Sequence, residues 1–331
     1  MDNATRTPEL MQCAALIVGL GALLAACSPT DRESEQLVKP VREPIEVTAA
    51  PEVLEPGRAP SLTWTGCDIS RKAYITAAVA AYKEQTGVEI AVTGGGATRG
   101  IRATVGGTSD IGGACRHSLP DDHAEEEGAM LTVVGWDALV FFTHADNPVE
   151  SITAEQARGI LMGRILNWSE VGGPDETIVP VFRQQTVSGK LSGVGYMTRL
   201  MLFGRPDADY SSEAIFFVSS GPVEEFVAAT PFSIAVTGVS SATKRDVRIL
   251  ALDGVEATPS NIASGVYPLF RPLYLVTDGE PTGLAKDFVE WMVGEQGQAT
   301  MRAQGAVNLK AGEKLFEMYA HWPDDSVLRN R

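Results

Sequence analysis

The chain has 331 residues, 44% of them hydrophobic, and a formal net charge of −15 at pH 7. That length suits one large or two medium domains with a sizeable core. The acidic balance argues against nucleic acid as a partner, because a phosphate backbone calls for a basic footprint. Small anions stay open as ligands, since aligned backbone N–H groups can hold them without a positive surface.

The chain opens on a candidate export signal. "MQCAALIVGLGALLAA" from Met11 to Ala26 is too short to span a bilayer comfortably and ends in small residues before Cys27. "LLAAC" resembles a bacterial lipobox, in which the cysteine is acylated and becomes the first residue; an uncut membrane anchor is the alternative. Residues 1–26 are therefore expected to be a lipoprotein signal peptide. Residues 27–60, punctuated by six prolines from Pro29 to Pro60, are expected to be a lipid-anchored flexible spacer. The protein would then be exported, in the periplasm or on the outer face of the membrane, and tethered by lipid at Cys27. Cys67 and Cys115 are left in a compartment that permits disulfides.

Folded structure is expected from "SLTWTG" (61–66), a strand, followed by a helix over "SRKAYITAAVAAYKEQTG" that Gly87 stops. "VEIAVTGG" reads as a strand, with a short helix from Arg99, and "SDIGGA" as a strand edge. Strand 131–143, helix 153–161, strand "TIVPVF" and helix 194–203 come next. Strands "FSIAVTG", "VRILAL" and "YPLFRPLYLVT" precede helices that begin at Gly283 and Ala311. Strand and helix alternate throughout, which predicts an α/β class with mainly parallel sheets. Ligands in such folds sit at the carboxyl ends of the strands.

Three glycine-containing turns follow predicted strands: "TGCDIS" (65–70), "GGGATRG" (94–100) and "VSGKLSGVG" (187–195). Ser192 is a good helix N-cap, because Val194, Met197, Leu200 and Met201 make an apolar helical stripe just after it. Helix starts offer unpaired N–H donors and a positive dipole end, so several facing one cleft would trap an anion. "GGGATRG" lacks the Gly-Lys-Ser/Thr ending of a phosphate-binding P-loop and does not fit G-x-G-x-x-G. Neither Cys67 nor Cys115 begins a C-x5-R phosphatase loop, and His117, His123, His144 and His321 show no metal-ligand spacing. No enzyme activity, cofactor or metal is expected.

The order of these pieces over residues 61–310 resembles the phosphate-binding proteins of bacterial phosphate ABC transporters. "GGGATRGI" is similar to that family's Gly-Ser-x-x-Gly-Ile turn, "SDIGGACR" to its Asp-Ile-Gly-Ala-Ser turn, and "ILMGRILNWSEVGG" to its Phe-x-Gly-x-Ile-x-Asn-Trp segment. "DGVEATPSNIASGVYPLFRPLYLVT" resembles the return crossing into the first lobe. The resemblance implies a type II periplasmic-binding-protein fold: two lobes joined by two crossing strands, with the ligand between them. Lobe one would be 61–137 and 268–331, and lobe two 138–267. The protein would be a monomer that captures phosphate by closing and then docks a membrane permease. A phosphate sensor of the same fold and, more remotely, a phosphate-ester hydrolase are the alternatives.

Residue by residue, the resemblance implies that Gly66, Cys67 and Asp68 supply donors from the first turn, and Ala97 and Thr98 from the second. Arg183 would hold two phosphate oxygens with its fork. The third helix start would be Ser188 with Gly189, or Ser192 with Gly193 and Val194; the apolar stripe favours Ser192. Cys67, Ala97 and Val194 (or Lys190) stand where hydroxyls are usual, a loss of roughly 1.5–3 kcal/mol per charge-assisted hydrogen bond unless Thr98, Ser192 or Ser70 compensates. Asp110 would face the ligand and accept a hydrogen bond from a phosphate hydroxyl, which repels sulfate because sulfate carries no proton. The alternative for Asp110 is a turn cap or an ion pair with Arg116 or Arg183. Cys67 and Cys115 both fall on turns around the implied cleft, either bridged or as two semi-buried thiols.

Overall fold

The computed structural model describes residues 60–183, 186–187 and 190–320. The expected signal peptide, the lipid anchor at Cys27, nearly all of the spacer, and Ser188 and Gly189 lie outside the described residues.

The first half-sheet holds β1 (Ser61–Gly66), β2 (Glu89–Gly94) and β3 (Ile111–Ala114), with β1 central and parallel to both neighbours. β4 (Ala129–His144) is the long strand, and it belongs to both halves. The short β5 (Ser151–Ile152) precedes β6 (Val179–Arg183), the hairpin β7 (Thr186–Val187) and β8 (Lys190–Leu191), and β9 (Ile215–Phe217). β10 (Ser233–Gly238), β11 (Val247–Ile249), β12 (Ala251–Leu252) and β13 (Phe270–Asp278) complete the set. The main sheet runs β2-β1-β3-β13-β4-β10-β6-β9, with β11 also on β4.

The pairing of β4 changes partway along its length. Ala129–Ala138 pairs antiparallel with β13, and Leu139–Thr143 pairs antiparallel with β10. On the return, Leu139 N–H donates to Leu269 O at 2.8 Å, just before β13 begins. These are the two expected crossings. The sheets are more mixed than the alternating pattern predicts, because β4, β11 and β13 run antiparallel to their neighbours. "VRILAL" is two strands rather than one: β11 pairs with β4 and β12 with β5, and Leu250 N–H donates to Phe141 O between them.

Helical structure starts where the parallel strands end. After β1, α1 (Asp68–Ser70) continues through a π-helical turn, Arg71–Ile75, into α2 (Thr76–Thr86), which Gly87 ends at φ +75°. α3 (Ala97–Val105) follows β2, starting two residues before the predicted Arg99. α4 (Ala154–Leu161) opens on a capping box of Thr153 and Gln156. α5 (Gly193–Phe203) is capped by Ser192, as its apolar stripe predicts. α6 (Ser220–Ala229) after β9 was not anticipated, nor was β9 itself. α7 (Val239–Ala242) follows β10, and α8 (Pro259–Ala263) precedes the return crossing. α9 (Gly283–Val293), α10 (Glu295–Ala303) and α11 (Glu313–Ala320) end the described chain.

A tight seam holds α3 against the first half-sheet. A Cβ on Gly100 would stand 2.5 Å from Gly113 O, and one on Gly113 would stand 2.1 Å from the fully buried Trp64 indole. The missing side chains let helix and strands approach closely enough to set the start of α3 beside the end of β1. Gly113→Ala is expected to lower unfolding stability by about 1–3 kcal/mol through overpacking, read as a lower urea midpoint at unchanged slope.

Candidate functional site

A cavity of about 120 Å³ opens where β1, β2, β3 and β6 end. Clefts for drug-sized ligands run to about 300–1,000 Å³, so this one suits a group of a few heavy atoms. Its wall is built from helix starts: Cys67 to Ile69 at α1, Gly95 to Ala97 at α3, Ser192 to Val194 at α5, and Val218 to Ser220 at α6. Cys115, one residue past β3, and Arg183, the last residue of β6, complete it.

The helix starts differ in how their first N–H groups are used. Cys67 caps α1 through sulfur, accepting from Ser70 N–H at 3.2 Å. Ser192 accepts from Gly195 N–H at 3.1 Å and from Arg183 Nε at 3.3 Å. α3 and α6 have no side-chain cap, Gly96 and Ser219 being their cap residues. Gly96 takes φ +94°, which favours glycine, and having no side chain it leaves α3 without a cap. First-turn N–H groups without a side-chain cap, with the positive helix dipole behind them, are the kind of donors that anions use.

Charge is managed close to the cavity. Asp68 is paired with Arg71 at 3.1 Å. Burial lowers the pKa of Arg183, with the neighbouring Cys115 and Asp68 opposing that shift. Deeper in, Arg271 and Asp137 form a buried pair at 3.4 Å, and the Ser240 N–H and hydroxyl donate to Asp137. Arg116 is buried against Glu126, donating at 2.6 and 2.9 Å.

Side chains also join the two halves across the cleft. Thr98 at the start of α3 donates to Leu191 O in β8 at 2.8 Å. His117 Nε2 meets the Tyr196 hydroxyl of α5 at 3.3 Å. Lys72, between α1 and α2, reaches Glu224 of α6 at 2.6 Å and Ser241 of α7 at 2.9 Å. Gly193 packs so closely that a Cβ there would meet Cys115 Sγ at 2.9 Å and Ala97 Cβ at 3.1 Å.

Of the residues singled out in the sequence, Cys67, Asp68, Ala97, Arg183, Ser192, Gly193 and Val194 line the cavity. Gly66 lies immediately behind it, its carbonyl accepting from Gly96 N–H. Two residues are placed differently. Asp110 does not face the cleft: it precedes β3, and β3 is parallel to β1, so it stands at the opposite end of the strand. Its carboxylate accepts the Thr63 N–H at 2.6 Å and the Thr63 hydroxyl at 2.7 Å, a turn and strand-edge cap. Among the described residues it forms no ion pair with Arg116, which pairs with Glu126, or with Arg183, whose Nε donates to Ser192. Thr98 is buried, with its hydroxyl committed to Leu191 O and to Arg116, so it cannot replace the hydroxyl missing at Ala97. Ser70 is likewise turned to Cys67 Sγ at 3.0 Å.

The sequence reading missed Ser219 and Ser220. Their signal was present in "SSGPVEEF": serine before an apolar run with proline in the first turn marks a helix start. It also gave Cys115 no part in holding the ligand, although Cys115 lines the cavity. Cys67 and Cys115 are free thiols here, both buried.

Comparison with known proteins agrees with this geometry. Residues 58–296 match the family model of the PBP superfamily domain. The phosphate-binding protein PstS of Bacillus subtilis (strain 168) is 30% identical over 250 residues, 73% of this chain and 78% of that relative. PstS of Borreliella burgdorferi is 31% identical over 190 residues, 56% of this chain and 68% of that relative. Among solved structures, a phosphate ABC transporter substrate-binding protein of Clostridium perfringens with bound phosphate superposes at a TM-score of 0.68 with 26% identity. That match covers 75% of this chain and 99% of the other.

The Lys72–Glu224 contact gives a stability test. Glu224 is fully buried and also accepts from Thr237, Ser241 and Arg245. Glu224→Ala is expected to cost about 2–3 kcal/mol in urea unfolding. That is below the ~3–5 kcal/mol of a fully buried pair, because Lys72 and Arg245 keep 21% and 29% exposure.

Proposed function

Because the chain belongs to the PBP superfamily and, within it, to the family of the PstS phosphate-binding proteins, we propose that its cleft captures inorganic phosphate and hands it to an ABC transporter permease. The observation that carries this reading is the convergence of the helix starts on one small cavity, with α3 and α6 uncapped there and Arg183 at its wall. A tetrahedral oxyanion needs donors from several directions, and this wall supplies them from both half-sheets.

Arg183 is the cation of the site, with its planar fork suited to two oxygens. The first-turn N–H groups of α3 and α6 and the remaining ones of α5 surround the anion. Ser219 and Ser220 are the hydroxyls placed to offset those absent at Cys67, Ala97 and Val194. The process is capture without chemistry: donors from both lobes give the closed state contacts that the open state lacks, so ligand shifts the population toward closure. The change of partner along β4 near Ala138, and the return near Leu269, support lobe boundaries at 137/138 and 267/268. Tethering by lipid at Cys27, cleavage after residue 26 and a monomeric state belong to the same proposal, and "LLAAC" supports the first two.

Titration calorimetry with phosphate, sulfate and arsenate is the direct test. Phosphate should bind, and Arg183→Ala should weaken it by at least tenfold, the loss of about one charge-assisted hydrogen bond. Asp110→Asn should leave the ratio of phosphate to sulfate affinity unchanged, because Asp110 is spent on Thr63. Sulfate binding with no phosphate binding would overturn the assignment.

A further inference from the structure

We propose that Cys67 and Cys115 form a reversible disulfide site in the wall of the anion cleft, and that their oxidation state sets the cleft's affinity for anions. The inference deepens the phosphate reading and rests on it for the identity of the anion.

The backbone already holds the two cysteines in a bridgeable position. β1 and β3 are parallel neighbours with Gly66 opposite Gly113, and Cys67 N–H continues the ladder to Gly113 O at 3.0 Å. Cys67 and Cys115 are thus offset by one residue past the ends of adjacent strands. With strands ~4.8 Å apart and a rise of ~3.3 Å per residue, their Cα atoms fall near 6 Å, inside the ~4.4–6.8 Å that a disulfide spans. The two thiols are buried and close enough for each to shift the other's ionisation. Both line the cavity, so a small oxidant has a route to them when the cleft opens.

Their surroundings make them unequal partners. Cys115 is faced by Cys67 from β1 and by the buried Arg271–Asp137 pair from β13 and β4. Arg116 adjoins it in sequence, and Arg183 faces it from β6. Arg271 is fully buried, and its Nε and Nη1 find no hydrogen-bond partner among the described residues. The hydrogen bond from Cys67, helped by Arg271 and Arg116 against the cost of burial, lowers the Cys115 thiol to about 6. Burial pushes Cys67 the other way. One sulfur is therefore a nucleophile at neutral pH, and the other supplies the second thiol.

The exchange balances with an external disulfide as oxidant. The Cys115 thiolate attacks one sulfur of that disulfide and releases its partner as a thiolate, leaving a mixed disulfide on Cys115. Cys67, giving its proton to solvent, attacks Cys115 Sγ and releases the second thiol. The protein gains one S–S bond and loses two electrons, and the oxidant is reduced to two thiols.

The bridge changes the cleft in two ways. A thiolate on Cys115 opposes an incoming anion, and the disulfide carries no charge. Cys67 Sγ also stops accepting fully from Ser70 N–H, which frees a donor at the start of α1. Both effects favour the anion, so the oxidised form is the tighter binder above pH 6. At pH 5, where Cys115 is protonated in the reduced form, the charge effect disappears and the difference should shrink.

The test uses the full-length chain equilibrated with either oxidised or reduced glutathione. Peptide mapping after alkylation should find a Cys67–Cys115 linkage in the first sample and both Cys67 and Cys115 alkylated in the second. Calorimetry with phosphate at pH 7.5 should give about tenfold tighter binding for the oxidised form. Cys67→Ser and Cys115→Ser should each lose the response, whatever their own affinity. Absence of the linkage under oxidising conditions, or affinities of the two forms within twofold, would overturn the proposal. Failure of phosphate to bind in either form would overturn the phosphate reading, while the peptide map would still decide the bridge.

Discussion

Unpaired N–H groups at helix starts are the constraint around which this molecule is arranged. A helix cannot satisfy its own first turn, and here the starts of α1, α3, α5 and α6 are gathered at one small cavity. The gathering follows from strand direction. β1, β2 and β3 are parallel, as are β6, β9 and β10, and the second set runs opposite to the first along β4, so the strand ends before α1 and α3 face the strand end before α6. Close packing then gathers the starts around one cavity. Gly66, Gly100 and Gly113 let α3 settle on β1 and β3, and Gly193 lets α5 approach Cys115 and Ala97.

An acidic protein can hold a small anion without a positive surface. The net charge is −15, yet the cleft needs no positive surface. Nearby cations are matched with carboxylates: Arg71 with Asp68, Arg116 with Glu126, Arg271 with Asp137, and Lys72 with Glu224. Among the described residues Arg183 instead meets the Ser192 hydroxyl, at the cavity wall. Oriented backbone dipoles act at short range, inside the distance beyond which salt screens charge. One of these pairs, Lys72–Glu224, also spans the cleft, so it helps fix how the two halves meet.

Much of this was legible in the chain. The alternation of strands and helices, the N-cap at Ser192, the turns around Cys67 and Ala97, the wall position of Arg183 and the two crossings all carry local signals. Those signals are periodicity, cap chemistry and glycine, and they act within a few residues. Asp110 shows the limit. A carboxylate inside a glycine-rich run looks like part of the turn that follows, but β3 takes up four residues between it and Cys115. Thr98 shows another: a hydroxyl beside a binding turn is unavailable once it is hydrogen-bonded to Leu191 and Arg116. The start of α6 had a readable Ser-Ser-Gly-Pro signal, but its place in the same cavity depends on where β9 lies in the sheet.

The chain by itself determined the α/β class, the family and the turns that can hold an anion, because helix caps, strand alternation and glycine turns are written in neighbouring residues. Tertiary structure decided which turns share a cavity and which polar groups remain free to use it. It turned Asp110 away, committed Thr98 and Ser70, and brought in Ser219 and Ser220. It also set two cysteines, 48 positions apart in sequence, side by side at the ends of adjacent strands. Those outcomes depend on strand order and register, and register is fixed by contacts between distant segments that no local pattern encodes.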